Sequence, residues 1–342
     1  MRYVVSASQR IKTYRIFLVS QHMKMTLLYI AMVALMTACG SGNNATTAVQ
    51  GNEESVSAAV STFDGNGAFE MTRQQCEFGP RVPGTAAHAK CAEWLTSTLQ
   101  ASCDTIMVQT GTVQTARSGQ LGIKNIIGII NPEASQRLLL MAHWDTRPWA
   151  DNDPDPANHN KPVMGANDGA SGVGVLLQLA RHLKADSTSL GIDILLVDVE
   201  DMGVDDNEES WALGTQYWAQ HPHVEGYKPL FGILLDMVGA GDATFTCEYY
   251  STQYAGGFVD LIWRHAAGSH FKKTQAGAVT DDHIFVNRAG IPCVDIIDLR
   301  SDSDTGFCSA WHTVSDTMDG ISATTLGEVG QTLLNVIADL QN

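Results

Sequence analysis

Basic residues are scarce in this chain. Against 37 Asp and Glu it sets only 21 Lys and Arg, a formal net charge of −16 over 342 residues. Five of those cations (Arg2, Arg10, Lys12, Arg15 and Lys24) fall within residues 1–38, where no acid occurs, so the rest of the chain is more acidic still. So few cations disfavour nucleic acid, which needs basic patches. The acidity favours cationic ligands, including peptides with a free α-amine, and it serves plain solubility as well. No Cys-x-x-Cys pair occurs, which argues against a zinc ribbon. No apolar run is long enough for a comfortable membrane span. No internal repeat and no second domain boundary are visible. What the chain does have is apolar residues, 44% of the total, ample for a sizeable core.

The N-terminus reads as an address. Met25 to Ala38 is apolar, follows Lys24, and ends in Met36-Thr37-Ala38-Cys39. A basic flank, a short apolar stretch and a small residue before the cut describe a secretory signal. A Cys directly after the cut resembles a bacterial lipoprotein signal, in which Cys39 is lipidated; plain secretion is the alternative. Met23 and Met25 are equally good starts. The expectation is an exported protein, anchored by lipid in the bacterial cell envelope on the periplasmic side, or free in the periplasm. Residues 39–62 are rich in Gly, Asn, Ser, Thr and Ala and read as a tether without a core-forming pattern. The folded domain is then 63–342.

Six further cysteines stand at 76, 91, 103, 247, 293 and 308. Export permits disulfides. Cys91 and Cys103 are near enough in the chain to pair, and buried free thiols are the equal alternative.

Apolar runs and helical spacing alternate through the domain. Helices are expected over Phe69–Phe78, Ala86–Ser102, Val173–Lys184, Ala212–Gln220, Gly257–Gly268, Ile284–Arg288 and Ala323–Leu340. Strands are expected over Thr105–Gln114, Lys124–Ile130, Gln136–Ala142, Gly191–Val199, Leu230–Leu235 and Ile291–Ile297. Trp144–Val163 is polar and Pro-rich, a long loop of the kind that is usually functional or disordered. The pattern indicates one α/β domain with a central, mostly parallel (mixed) sheet flanked by helices.

In such sheets, ligand sites lie at the carboxyl ends of strands. Here three apolar strands end in acid or His: His143 and Asp145 after one, Glu200 and Asp201 after another, Asp236 at a third. Asp168, Asp281-Asp282-His283 and His312 occupy loops. Asp, Glu and His are oxygen and nitrogen ligands of zinc, and a set without thiolate suits a catalytic site with an open position. Singly each has an ordinary explanation. Asp168 before a helix could be an N-cap, the Glu-Asp pair a solvated turn, and His312 beside Trp311 a hydrogen-bonded side chain.

Together, His143-x-Asp145, Gly165-Ala-Asn-Asp168, Asp198-Val-Glu200-Asp201, Leu235-Asp236-Met237-Val238-Gly239, Asp281-Asp282-His283 and Trp311-His312-Thr313 resemble the M28 zinc-peptidase superfamily. Within it they look most like the animal-type (type II) glutaminyl cyclases, including bacterial members. The resemblance runs from about Gly79 to Leu340. It implies a zinc-aminopeptidase-like fold, one zinc ion on Asp168, Asp201 and His312, and a general acid/base at Glu200. It also implies a carboxylate network at Asp236 and Asp281 and an aromatic wall at Trp311, with Trp211 and Phe307 in the substrate pocket. The implied reaction converts N-terminal glutamine of peptides or proteins to pyroglutamate, releasing ammonia. A monomer is the separate expectation, which no motif carries. The chain departs from the animal pattern at Asp201, where they carry Glu, and at Gly169, where they carry Ser. No Trp follows the Glu200-Asp201 pair at the animal position; Trp211 could fill that space. The acidic stretch Asp205–Glu209 is either a solvated loop or a rim that attracts amines.

A two-zinc aminopeptidase of the same superfamily is the alternative. There His143, with Asp168 and Asp236, would hold a second metal; in a cyclase His143 and Asp145 would stand behind the site. A third reading is an inactive surface-binding lipoprotein, which predicts a missing ligand or base. None is missing.

Overall fold

A computed structural model describes residues 61–342. The signal segment 1–38, Cys39 and the tether to residue 60 lie outside the described residues. At the start of the described chain, the Ser61 hydroxyl is bonded to His182 (2.6 Å) and donates to Asp186 (2.8 Å), so the tether's end is already docked.

In chain order, α1 (Gly65–Cys76) and α2 (Ala86–Gln100) precede a hairpin of β1 (Thr105–Thr115) and β2 (Gly119–Ile130). Then come β3 (Arg137–His143), α3 (Ala170–Ala185), β4 (Gly191–Val197), α4 (Leu213–Gln220) and β5 (Gly232–Asp236). The chain continues through β6 (Phe245–Cys247), α5 (Tyr249–His265), β7 (Phe271–Gln275), α6 (Asp282–Arg288), β8 (Cys293–Ile297) and α7 (Ala323–Leu340). Six strands form one sheet in the order β1-β2-β4-β3-β5-β8. The β1/β2 and β2/β4 pairs are antiparallel; β4/β3, β3/β5 and β5/β8 are parallel. The sheet is mixed, with the parallel half supplying the strand tips.

Continuous apolar runs form the central strands because both sheet faces are covered. Successive side chains point to opposite faces. Leu138, Leu140 and Ala142 of β3 meet the side holding α1, α2, α3, α5 and α7, whereas Leu139 and Met141 meet Trp218 of α4 and Val286 of α6. All six cysteines of the domain are free thiols, which settles the Cys91–Cys103 question for this structure.

Of the boundaries that differ from expectation, three have a local polar reason. α1 starts early because the Asp64 carboxylate accepts from the Gly67 amide (2.9 Å). α5 begins at Tyr249, well before the expected Gly257, because Glu248 accepts from the Tyr250 and Ser251 amides. A kink at Ala255 splits that helix, so only its second half carries a readable pattern. β4 stops at Val197, two residues short of the expected end. Asp198 there accepts from the Lys124 amide (2.7 Å), the Val199 amide (2.9 Å) and His88 Nε2 (2.8 Å), and Val199 turns into the left-handed region at φ +57°. That turn swings Glu200 and Asp201 off the sheet. β6 and β7 escaped the sequence reading because one has three residues and the other is largely exposed.

The turn after β4 leaves no room at Gly214, where an added Cβ would lie 2.0 Å from the Asp198 carbonyl oxygen. Gly214→Ala should cost about 1–3 kcal/mol in urea denaturation and lower activity by moving Glu200. Gly257→Ala, which meets nothing within 4 Å, should be neutral or mildly stabilising.

Candidate active site

Parallel register brings the polar strand ends to one edge. His143 at the tip of β3 aligns with Val197 of β4, and Asp236 at the tip of β5 aligns with Ile297 of β8. Asp168 is not the cap of α3. Gly169 occupies that position without a side-chain hydrogen bond, which leaves the Asp168 carboxylate facing two histidines. Its Oδ1 is 2.9 Å from His143 Nε2 and its Oδ2 is 3.6 Å from His312 Nε2. His312 Nε2 is also 3.2 Å from Asp201 Oδ1.

Asp168, Asp201 and His312 are all buried, and each offers one ligand atom within 4.8 Å of the others. Bonds of 2.0–2.1 Å in a tetrahedral zinc site imply ligand–ligand edges of about 3.3 Å. The 3.2 and 3.6 Å separations from His312 bracket that edge. Oxygen and imidazole donors without thiolate complete the fit to a catalytic zinc. His143, Asp168 and Asp236 form a second convergent set. In it, His143 Nε2 lies 2.9 Å from Asp168 Oδ1 and 3.2 Å from Asp236 Oδ1, separations like those of the first set.

The backbone under these groups is held by side chains. Asp145 lies behind the site and accepts from the amides of Glu200 (3.0 Å) and Asp201 (3.2 Å), fixing the acid pair. Asp316 accepts from the amides of Asn167 (2.8 Å) and Asp168 (3.1 Å). Buried Arg147 makes a two-bond pair with Asp151 (2.7 and 2.7 Å) and reaches Asp201 Oδ1 at 3.4 Å. Buried Arg81 donates to the carbonyls of Trp144, Met164 and Gly165, pinning both ends of the long loop. Val199, Met237 and His312 all adopt positive φ (57°, 48° and 56°). Strained backbone of this kind persists where the surroundings over-determine it, and here all three flank or carry the site.

The charge balance is strongly acidic. Burial, with Asp201, Asp281 and Asp282 nearby and His143 opposing, pushes the Glu200 carboxyl well above its ordinary value. Burial raises Asp236 to about 6 against the pull of His143, and raises Asp281 to about 7 with help from Asp236. For Asp168, burial works upward, but His143 and His312 together hold the carboxyl below its ordinary value. Burial raises Asp201 despite His312. A Glu200 carboxyl pushed up beside an Asp168 carboxyl held down is the separation expected of an acid/base beside a ligand.

These groups open into a cleft of about 930 Å³ lined by Asp168, Glu200, Asp236, Asp281 and His312. Trp211, Phe307 and Trp311 form its aromatic wall. Trp311 stacks on His312 at 3.8 Å between ring centroids, and Phe307 sits 4.3 Å from Trp311. Trp211 lies nearly parallel to the His312 ring at 6.1 Å. Of the acidic stretch, Asp205 lines the cleft, whereas Glu208 and Glu209 pair with Arg288. Gly169 is explained by space: an added Cβ would meet the His143 carbonyl oxygen at 2.4 Å and its Nε2 at 2.5 Å.

Residues 125–337, more than half of the chain, match peptidase family M28. This chain belongs to peptidase family M28. Among solved structures, the glutaminyl cyclase of Porphyromonas gingivalis is 44% identical, with a TM-score of 0.80 over 82% of this chain and 99% of that one. A Bacteroides thetaiotaomicron structure described as a leucine aminopeptidase precursor is also 44% identical, with a TM-score of 0.79 over 82% and 98%. The glutaminyl-peptide cyclotransferase of Drosophila melanogaster is 25% identical over 264 residues, 69% of this chain and 70% of its own.

Of the site residues expected from the sequence of this M28 member, those within the described residues line the cleft or stand directly behind it, whereas Cys39 lies outside the described residues. Arg147, Asp151 and Asp316 were missed. Arg147 follows His143 and Asp145 within one short stretch, but a buried Arg has no sequence signature. Asp316 trails His312 by four residues and looks like loop polarity.

The Asp316 clamp is testable. Asp316→Ala should weaken zinc retention by roughly 10- to 100-fold, as loss of a group that orients a ligand does. Chelator competition measures it, and unchanged retention would show that Asp168 needs no such hold.

Proposed function

We propose that this M28 member is a glutaminyl-peptide cyclotransferase that closes N-terminal glutamine to pyroglutamate and releases ammonia, using one zinc ion. The observation that carries the reading is Asp236. Its carboxylate lines the cleft beside Glu200 and Asp281 and is engaged by His143 Nε2 at 3.2 Å, so it is placed to hold an amine. The 43–45% identity to solved bacterial glutaminyl cyclases supports it.

Asp168, Asp201 and His312 would hold the zinc, which as a Lewis acid polarises the γ-amide carbonyl. Asp236 orients the α-amine toward that carbonyl, so ring closure is mainly a positioning problem. Glu200 takes the proton from the α-amine and passes it to the departing ammonia, a role matched to its raised carboxyl. Trp211, Trp311 and Phe307 enclose the side chain and exclude water.

A Gln-initiated peptide should lose one ammonia and no residue by mass spectrometry, and the purified protein should hold about one zinc per chain. Release of a free first amino acid, with about two metal ions bound, would favour the aminopeptidase reading. Glu200→Gln should lower turnover by about 100-fold or more with zinc retained. Loss of zinc in that variant would exchange the roles of base and ligand.

Export, lipid attachment at Cys39 and action as a monomer on peptides or proteins outside the cytoplasm are part of the same proposal. Export and lipid attachment are supported by the basic flank, the apolar run and the Cys that follows it. Cys39→Ala should move the protein from the membrane to the soluble fraction; an unchanged distribution would remove the anchor.

A further inference from the structure

We propose that the part of the cleft beyond the tip of β8 is a subsite for the residues that follow the N-terminal glutamine, and that it favours a basic side chain among them. The proposal rests on the cyclase reading for its chemistry, but not for its geometry.

The cleft is larger than the reacting group needs. Its volume of about 930 Å³ lies near the top of the range for small-ligand pockets, about 300–1,000 Å³. The glutamine side chain is one amide on two methylenes. The residues that hold metal and proton come from the tips of β4 and β5 and the loops beside them. The cleft then continues past Ile297 at the end of β8 to Thr244 before β6, Thr246 on β6 and Thr274 on β7. β6 joins this edge through the Phe245–Asp298 bridge and pairs in turn with β7. From β5 across β8 and β6 to β7 is roughly 14 Å at about 4.8 Å per strand, the length of about four extended residues. With glutamine at the β5 end, about three further residues fit the remainder.

One stretch of the lining has unused backbone groups. Ala276 N and Gln275 Nε2 donate to the Cys247 carbonyl, Val279 N donates to Glu248 (3.1 Å), and Gly277 O accepts from the Tyr249 amide (3.1 Å). These bonds hold residues 276–280 in place. Among the described residues, the amides of Gly277, Ala278 and Thr280 and the carbonyls of Ala278 and Val279 have no protein partner. Free donors and acceptors along a groove are what an extended peptide pairs with. Thr246 Oγ1 is buried and likewise unpaired, and Thr246 lines the cleft. The 299–306 part of the lining is fixed by Arg300, whose amide donates to Gly306 O (2.8 Å) and whose guanidinium is bonded to Asp298 and Asp242. Beyond the catalytic acids, Asp205, Asp242 and Asp302 line the cleft, and Arg300 is the one Lys or Arg among the lining residues. Because two carboxylates already engage that Arg, a basic side chain passing along the cleft meets complementary charge.

The length of the subsite is tested on the zinc-loaded protein with Gln-Ala-amide, Gln-Ala-Ala-amide and Gln-Ala-Ala-Ala-amide, read as ammonia release. kcat/KM should rise about tenfold from the first peptide to the third and level off with further alanines. Equal values along the series would overturn the proposal. Gly277 offers a block, because an added Cβ there meets nothing within 4 Å and the residue lines the cleft. In Gly277→Phe the ratio of the third peptide to the first should fall to about one. Both are measured on one preparation, so loss of folded protein cancels, and an unchanged ratio would also overturn the proposal. Lys as the third residue should exceed Glu about threefold in kcat/KM at low salt and by less at high salt, and Asp302→Asn should narrow that difference. Equal values for Lys and Glu would overturn the charge preference. If the wild type instead frees the first residue, the cyclase reading fails, and the length series read on that release still decides the subsite.

Discussion

The Asp168 carboxylate is the point on which the site turns. Two imidazoles address it from different parts of the chain, His143 from the tip of β3 and His312 from the loop before α7. The competition is possible only because Asp168 does not cap α3 and because Asp316 holds its backbone from below. A carboxylate ionised in a buried acidic setting needs such partners, since burial alone would protonate it. The same requirement accounts for the neighbouring cations: Arg147 sits against Asp201, and His143 against Asp236.

Geometry of this precision comes from rigid elements. The parallel half of the sheet brings its tips to one edge through its register, and both faces are packed. Left-handed turns at Val199 and Met237 then redirect the chain immediately beyond two of those tips. The turn at Val199 puts the Glu200 and Asp201 carboxylates where an extended strand could not. The strain is carried by contacts on every side, including the Asp198 carboxylate with its three donors.

The fold alone leaves the chemistry open within peptidase family M28, since chains of equal identity are described both as glutaminyl cyclase and as aminopeptidase precursor. What distinguishes the possibilities is how carboxylates are used. In a cyclase, Asp236 and Asp281 serve amine and proton; in a two-metal peptidase, Asp236 and His143 serve an ion.

The amino-acid sequence by itself determined the α/β alternation, the apolar strands and the acids and histidines at their ends. These are local properties, written as periodicity and as polar residues closing an apolar run. It also carried the motifs behind the resemblance to glutaminyl cyclases. Only the tertiary structure decided that Asp168 faces two histidines instead of capping a helix, and that Asp145 binds the amides of Glu200 and Asp201. The roles of Arg147 and Asp316 likewise emerged only there. The physical reason is range: a strand or a cap is settled by neighbours a few residues away, whereas a carboxylate's role depends on which distant donor shares its desolvated space.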